Sequence, residues 1–389
     1  MKCRSQSSAA RWQGRRAVTL ATDSLEMVLL TGGGHVASLS LPGGPNVLWQ
    51  SEWKTIEPQQ FRPGRDSSAY GDPPVGNFLS HFTGHAVCAD YFGAPSREEA
   101  AQGLPLHGEI ASRPWQISVR NQAGLARARC RADAPKSEFR FEREVTLRAD
   151  ESVACFRERL TNQRPRDRSV QWVQHATFGK PLLVAGESTV CLPATEGITW
   201  PHGYEGKALL ADSRRFGWPM APMANGGVAD LSQPFACSNK GFVAAALVER
   251  GRNYGFVAVL NWNLGLLAGY CFRRADFPWI AVWEENRARR DAPWNGRSQA
   301  RGLEFGTTAT PVGLRDTVLN GPVLGETTFI VVPANATKEI CYLAFVTRVG
   351  SDWRTVRDVE VAGERIVIRA DRSGQRVLLP ARGLAMPGW

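Results

Sequence analysis

What this sequence lacks narrows its chemistry first. Its eight cysteines (Cys3, Cys88, Cys130, Cys155, Cys191, Cys237, Cys271 and Cys341) never form a Cys-x-x-Cys pair. That speaks against a zinc ribbon or a thioredoxin-type centre and for buried thiols of a reducing compartment. No Gly-x-Ser-x-Gly elbow is present, so a triad of that type is not indicated. No Gly-x-Gly-x-x-Gly follows a strand-like run, and no Walker loop occurs, which leaves nucleotide use without support. No run of 18 apolar residues exists to span a membrane as a helix. Residues 1–16 are basic and polar without an apolar centre, unlike a secretory signal. The expectation is a cytoplasmic protein with no membrane association, in which the sequon Asn335-Ala336-Thr337 is a chance match. Histidine is scarce as well, six in 389 residues, so the candidates for proton transfer are few.

The charge is lopsided, with a formal net charge of +10. It suits anionic partners in general, phosphosugars and acidic sugars among them. The arginines are spread along the chain, as in Arg127, Arg129, Arg131, Arg164, Arg166, Arg168, Arg287, Arg289 and Arg290. Without a basic run interleaved with aromatics, nucleic acid is not expected as a partner. Hydrophobic residues make up 43% and charged residues 22%, an ordinary balance for a chain that buries a large core. With no internal repeat and no low-complexity linker, a single domain over 1–389 is the default, as a monomer or homodimer.

Long amphipathic helices are also missing; what is there alternates. Trp115, Ile117 and Val119 share one side of a strand-like run, and so do Phe139, Phe141, Val145 and Leu147. Further strands are expected over 153–161, 170–177, 242–249, 254–261, 270–274, 279–283, 327–332, 340–346, 356–361 and 365–369. The turn 250–253 suggests that 242–249 and 254–261 form a hairpin. Glycine (38) and proline (24) punctuate short strands throughout, as in a sandwich or barrel. Residues 50–106 show no clear periodicity and read as a long connection. His81 and His85 within it have the spacing of a metal pair but no third ligand, so no metal and no cofactor is expected.

Three separated residues carry the chemistry. His107 stands beside Gly108, where a ligand can approach closely. His175 closes the strand 170–177, on the face it shares with Gln171 and Val173. A strand-end histidine opening onto a pocket is placed to titrate near neutrality and act as a general acid. Glu304 lies between Leu303 and Phe305, so on a strand its carboxylate points opposite to both, and desolvation would raise its pKa toward that of a useful base. Taken singly, each has an ordinary structural reading: a hydrogen-bonded core histidine, or a surface carboxylate.

Together with their surroundings these residues resemble the aldose 1-epimerase (galactose mutarotase-like) superfamily, in the flavour of its less characterised bacterial branches. The resemblance rests on Gly32-Gly33-Gly34-His35-Val36-Ala37-Ser38-Leu39, Asn46-Val47-Leu48-Trp49, Leu106-His107-Gly108, Gln174-His175-Ala176-Thr177-Phe178-Gly179 and Leu303-Glu304-Phe305-Gly306-Thr307, in that order. It implies an all-β galactose mutarotase-like β-sandwich (a supersandwich of large antiparallel sheets) that binds a small-molecule sugar or sugar phosphate. By the same resemblance, His175 protonates the ring oxygen, Glu304 takes the anomeric proton, and His107 holds the ring-oxygen side. Acid and base would face each other across the sugar, with Trp283 stacked on its apolar face. The implied activity is epimerase or mutarotase chemistry at the anomeric carbon. A non-catalytic sugar-binding protein, or a lyase or hydrolase, is the alternative. The Asn-Arg pair of that family has no counterpart in Asn77-Phe78-Leu79-Ser80-His81-Phe82, and its aspartate has only Asp230 and Asp276 as candidates.

Overall fold

The computed structural model describes residues 5–371 and 374–382, so Cys3 and the first four residues lie outside the described residues. The chain is all-β, with two large antiparallel sheets and a small third one. The larger sheet has 14 strands. It begins with a meander of Ser5–Trp12, Arg15–Thr22, Glu26–Leu30 and Val36–Ser40 and continues into His85–Asp90 and Arg168–Phe178. Beyond these come Gln299–Gly306, Trp279–Asn286, Lys240–Val248 and Ala194–Thr199. The second sheet has eight strands, from Ser188–Cys191 at one edge to Gln116–Gln122 at the other.

The two sheets face each other because their strands place bulky apolar side chains on one side. Phe141, Phe156, Trp172, Phe305 and Tyr342 belong to one continuous buried cluster between them. Phe272 and Phe305 stack across it with centroids 4.4 Å apart. On the other face of the second sheet, Cys155, Phe256 and Leu343 pack against Val359, Ile366 and Ile368 of the three-stranded sheet. Among the described residues no helix is long and apolar enough to cross a membrane.

Two expectations are corrected. The turn at 250–253 does not close a hairpin. Lys240–Val248 pairs with Trp279–Asn286 and Ala194–Thr199 in the larger sheet, whereas Tyr254–Asn261 pairs with Leu266–Arg273 in the other. Turn residues mark where the chain reverses, and here the reversal carries it from one sheet to the other. The second correction concerns residues 50–106, which hold the strand His85–Asp90 and three short helices, Ser67–Tyr70, Val75–Leu79 and Arg97–Ala101. Every residue of His85–Asp90 is buried, so the strand shows no polar alternation to detect. It lies beside Arg168–Phe178, in the middle of the large sheet.

Candidate active site

His175 and Glu304 are direct cross-strand partners in the pair Arg168–Phe178 and Gln299–Gly306. Opposed residues of an antiparallel pair have Cβ atoms about 5 Å apart. Period-two alternation sends Leu303 and Phe305 into the core between the sheets and turns Glu304 to the opposite face, beside His175. His175 Nε2 lies 3.3 Å from Glu304 Oε1. The neighbours on this face are small: Ala86 is opposite His175 on the far side, and Ala281 is opposite Glu304. Gly302 has a specific role, since a Cβ there would come within 2.1 Å of Glu304 Oε1. The carboxyl group therefore leans over the space a side chain would fill.

His107 reaches the same place from a loop. Its backbone is left-handed, with φ of 65°, and the next residue, Gly108, has φ of 85°. A Cβ on Gly108 would fall 2.3 Å from the Ala89 carbonyl oxygen, so only glycine lets this loop lie against the sheet. The Gly93 backbone N–H donates to His107 Nδ1 at 3.1 Å. A nitrogen that accepts carries no proton, so the His107 proton sits on Nε2 and the ring can serve as a neutral donor. The His107 and His175 rings meet edge-on, with centroids 5.3 Å apart.

All four residues expected from the sequence, His107, His175, Trp283 and Glu304, line one cleft of about 590 Å³. Its walls are aromatic. Phe78 lies 5.0 Å from the His107 ring, Phe82 5.0 Å and Trp283 5.9 Å from that of His175, and Phe92 stacks on His107 at 5.1 Å. Trp283 turns its indole N–H away to the Tyr204 hydroxyl, 2.7 Å distant. Sequence reasoning missed Phe78, Phe82, Phe92, Trp294 and Arg289. Phe78 sits in the short helix Val75–Leu79 and the others in loops, and single side chains in such places carry no periodic signal. The molecule has a larger concavity, about 800 Å³, lined by Arg11, Arg16, Lys54, Arg62 and Arg65 among others. It contains no acid–base pair; chemistry, not volume, selects the smaller cleft.

Burial decides the electrostatics. His175, Glu304 and His107 are 5%, 2% and 9% exposed. Desolvation pushes His175 down to about 3 and drives Glu304 well above its ordinary value. It also holds His107 well below the usual imidazole range, with His175 adding to the shift. The expectation of a histidine titrating near neutrality therefore fails, because the strand end is covered by Phe78, Phe82 and Phe92. The 3.3 Å approach is short enough for an ion pair, yet burial drives both partners to their neutral forms. We read it as a neutral pair with one proton, on Glu304. His175 Nδ1 lies 3.1 Å from the Thr177 hydroxyl. If Nδ1 donates there, the lone pair of Nε2 faces the acid. Glu304 Oε1 has no aligned hydrogen-bond partner, an unsatisfied buried atom aimed at the cleft.

Other candidates fall elsewhere. Neither Asp230 nor Asp276 lines the cleft; the first accepts from Ser232, and the second faces Arg273 and Lys338. The carboxylates at the cleft are Asp72, Glu205 and Asp291. Phe78 lies on the cleft wall, in the stretch without an arginine. His81 Nε2 lies 3.1 Å from the Ala111 carbonyl, while His85 points between the sheets to Gln174 and Tyr270, so the two do not converge.

The sequence matches the model of a domain of unknown function, DUF4432, over residues 13–304, a span that includes His107, His175 and Glu304. No protein of curated function matches it. Among solved structures, a candidate aldose 1-epimerase from Klebsiella pneumoniae subsp. pneumoniae superposes with a TM-score of 0.64 at 16% identity, covering 89% of this chain and 84% of that one. A galactose mutarotase-like protein from Clostridium acetobutylicum gives 0.59 at 12% identity, covering 90% and 99%. A candidate mutarotase from Salmonella typhimurium gives 0.57 at 12%, covering 88% and 94%. At these identities the likeness is one of fold: the chain has the galactose mutarotase-like fold.

Proposed function

This chain belongs to the DUF4432 family, and from that premise we propose that it is a carbohydrate epimerase of the mutarotase kind, interconverting the anomers of a sugar. The observation that carries the reading is the His175–Glu304 pair, side by side at the floor of an aromatic cleft. The two oxygens of a hemiacetal sit on a single carbon. An acid and a base that serve them need to be neighbours, not opposed across the ring.

Opening follows from the protonation of the pair. Glu304 gives its proton to the ring oxygen as the bond from that oxygen to the anomeric carbon breaks, the electron pair staying on the ring oxygen. His175 Nε2 takes the proton of the anomeric hydroxyl, whose oxygen becomes the carbonyl. The open aldehyde turns about its bond to the next carbon and presents its other face. Reclosure returns each proton, so within one turnover each residue acts once as acid and once as base. The pair ends as it began, and nothing is oxidised or reduced. His107, a neutral donor, holds the ring-oxygen side, and Trp283 packs against the ring.

Polarimetry of a freshly dissolved sugar panel tests this. His175→Ala and Glu304→Gln are each expected to lose roughly 10²–10⁴-fold in anomerisation rate. Rates in either variant equal to wild type would remove the assignment.

A further inference from the structure

Resting on that reading of the cleft, we propose that its substrate is an uncharged deoxy sugar, not a sugar phosphate or a sugar acid. The net charge of +10 does not reach the site. The outer groove collects Arg11, Arg16, Lys54, Arg62 and Arg65, whereas the catalytic cleft carries Asp72, Glu205 and Asp291 at its exposed margin against one cation, Arg289. Arg289 is already engaged. Its guanidinium donates to Tyr204 Oη at 2.6 Å and to Glu205 at 3.0 Å, lies 3.4 Å from Glu285, and packs over the Tyr204 ring at 4.3 Å. An anionic substituent on the sugar has two places to go. Against Phe78, Phe82, Phe92 or Trp294 it loses its water without a partner, and at the margin it meets Asp72 and Asp291, with Glu205 already paired to Arg289.

The walls make the same case for hydroxyls. The polar side chains of the lining other than His107, His175, Glu304 and the charged margin are Tyr70 and the indoles of Trp200, Trp283 and Trp294, of which Trp200 Nε1 is buried without a partner. Tyr70 donates to the Lys54 carbonyl at 2.8 Å, and Trp283 donates to Tyr204. The Trp200 indole N–H can answer a single hydroxyl, so a fully hydroxylated hexose would still leave hydroxyls facing aromatic carbon, stripped of water without replacement. A ring that lacks one or more of them presents the apolar edge these walls fit.

Trp283 and Trp294 line the cleft and report binding independently of turnover. The test titrates indole fluorescence with 6-deoxygalactose, galactose and galactose 6-phosphate and follows anomer exchange of each by NMR. The deoxy sugar is expected to bind at least ten-fold more tightly than the phosphate, with galactose between. The double variant Glu205→Gln, Asp291→Asn is expected to narrow that gap by improving the phosphate. Phosphate binding equal to or tighter than that of the deoxy sugar, or a gap unmoved in the double variant, overturns the substrate class. Exchange of the phosphate would still leave the anomerase reading standing. Tight binding of the deoxy sugar without accelerated exchange does the reverse, keeping the class and removing the reaction. Failure of all three sugars to bind overturns the class as well.

Discussion

The two faces of the strand Arg168–Phe178 carry two buried polar clusters, each built around a histidine and a glutamate. On one face His175 meets Glu304, with His107 beside them. On the other, between the sheets, Gln174 Oε1 accepts from His85 Nε2 at 3.0 Å and the Gln174 amide N–H donates to Glu158 at 2.6 Å. Glu158 also takes the Arg143 guanidinium at 2.6 Å and the Trp172 indole N–H at 3.2 Å, and Tyr342 closes the cluster at 2.9 Å. Histidines on both faces are held neutral by burial, His85 and His175 alike at about 3. The difference lies in satisfaction. Both oxygens of Glu158 are bonded within the protein, whereas Glu304 Oε1 is left without a hydrogen-bond partner. A closed network fixes the strand; an open one waits for a ligand.

Substitutions can break this contrast. The largest effect belongs to Glu158→Ala, which leaves the fully buried Arg143 charge unpaired. It is expected to cost about 3–5 kcal/mol in urea unfolding, whereas Glu304→Gln, which keeps a neutral side chain of the same shape, is expected to cost no stability. Equal losses in the two variants would erase the distinction between scaffold and site. Next comes Gly302→Ala. The added methyl contests the position of Glu304 Oε1, and the flexible carboxyl end yields before the backbone does. An anomerisation rate lower by about 10²-fold with an unchanged thermal midpoint is expected. Loss of the fold instead would mean that the strand, not the carboxyl, had moved.

How much of this was legible beforehand varied with the physics behind each signal. Two strands of the second sheet, Leu125–Ala134 and Phe139–Arg148, alternate because their outer face is polar, as the burial of Phe139–Arg148 shows residue by residue. The opposite facing of His175 and Gln174, and of Glu304 and Phe305, followed from period two alone. The strand His85–Asp90 was invisible because both its faces are buried, and the crossing at 250–253 because a turn does not record which strands it joins. The cross-strand register that places His175 opposite Glu304 is likewise absent from any local pattern. The cleft walls were hidden for another reason. Phe78, in a helix of five residues, and Phe82 and Trp294, in loops, act through where those segments fold back, a tertiary fact without a short-range signature.

The smallest expected effect is the one that separates the proton inventory of the two clusters. Burial lowers His175 to about 3 and raises Glu304 well above its ordinary value, so the proton sits on Glu304 beyond the usual carboxylate range. Anomerisation should therefore show no bell near the free imidazole value and should fall on the alkaline side as Glu304 ionises. Stability follows the same groups with opposite signs. His85 and His175 are depressed, so the stability tied to their neutral forms is present above the unfolded value near 6.5 and is lost as pH falls toward about 3. Glu304 is raised, so its term is present below the unfolded value near 4.5 and is lost as pH rises through the folded value. Asp90, pushed up to about 8 by burial, acts in that same alkaline sense. Comparing wild type with Glu304→Gln at each pH cancels the Asp90 term. The variant should gain on wild type as pH rises above about 4.5, by up to about 1.4 kcal/mol per pH unit. Parallel stability curves would mean that Glu304 is ionised in the folded protein. Its partner His175 would then have to carry the compensating charge, and opening would begin from the ion pair.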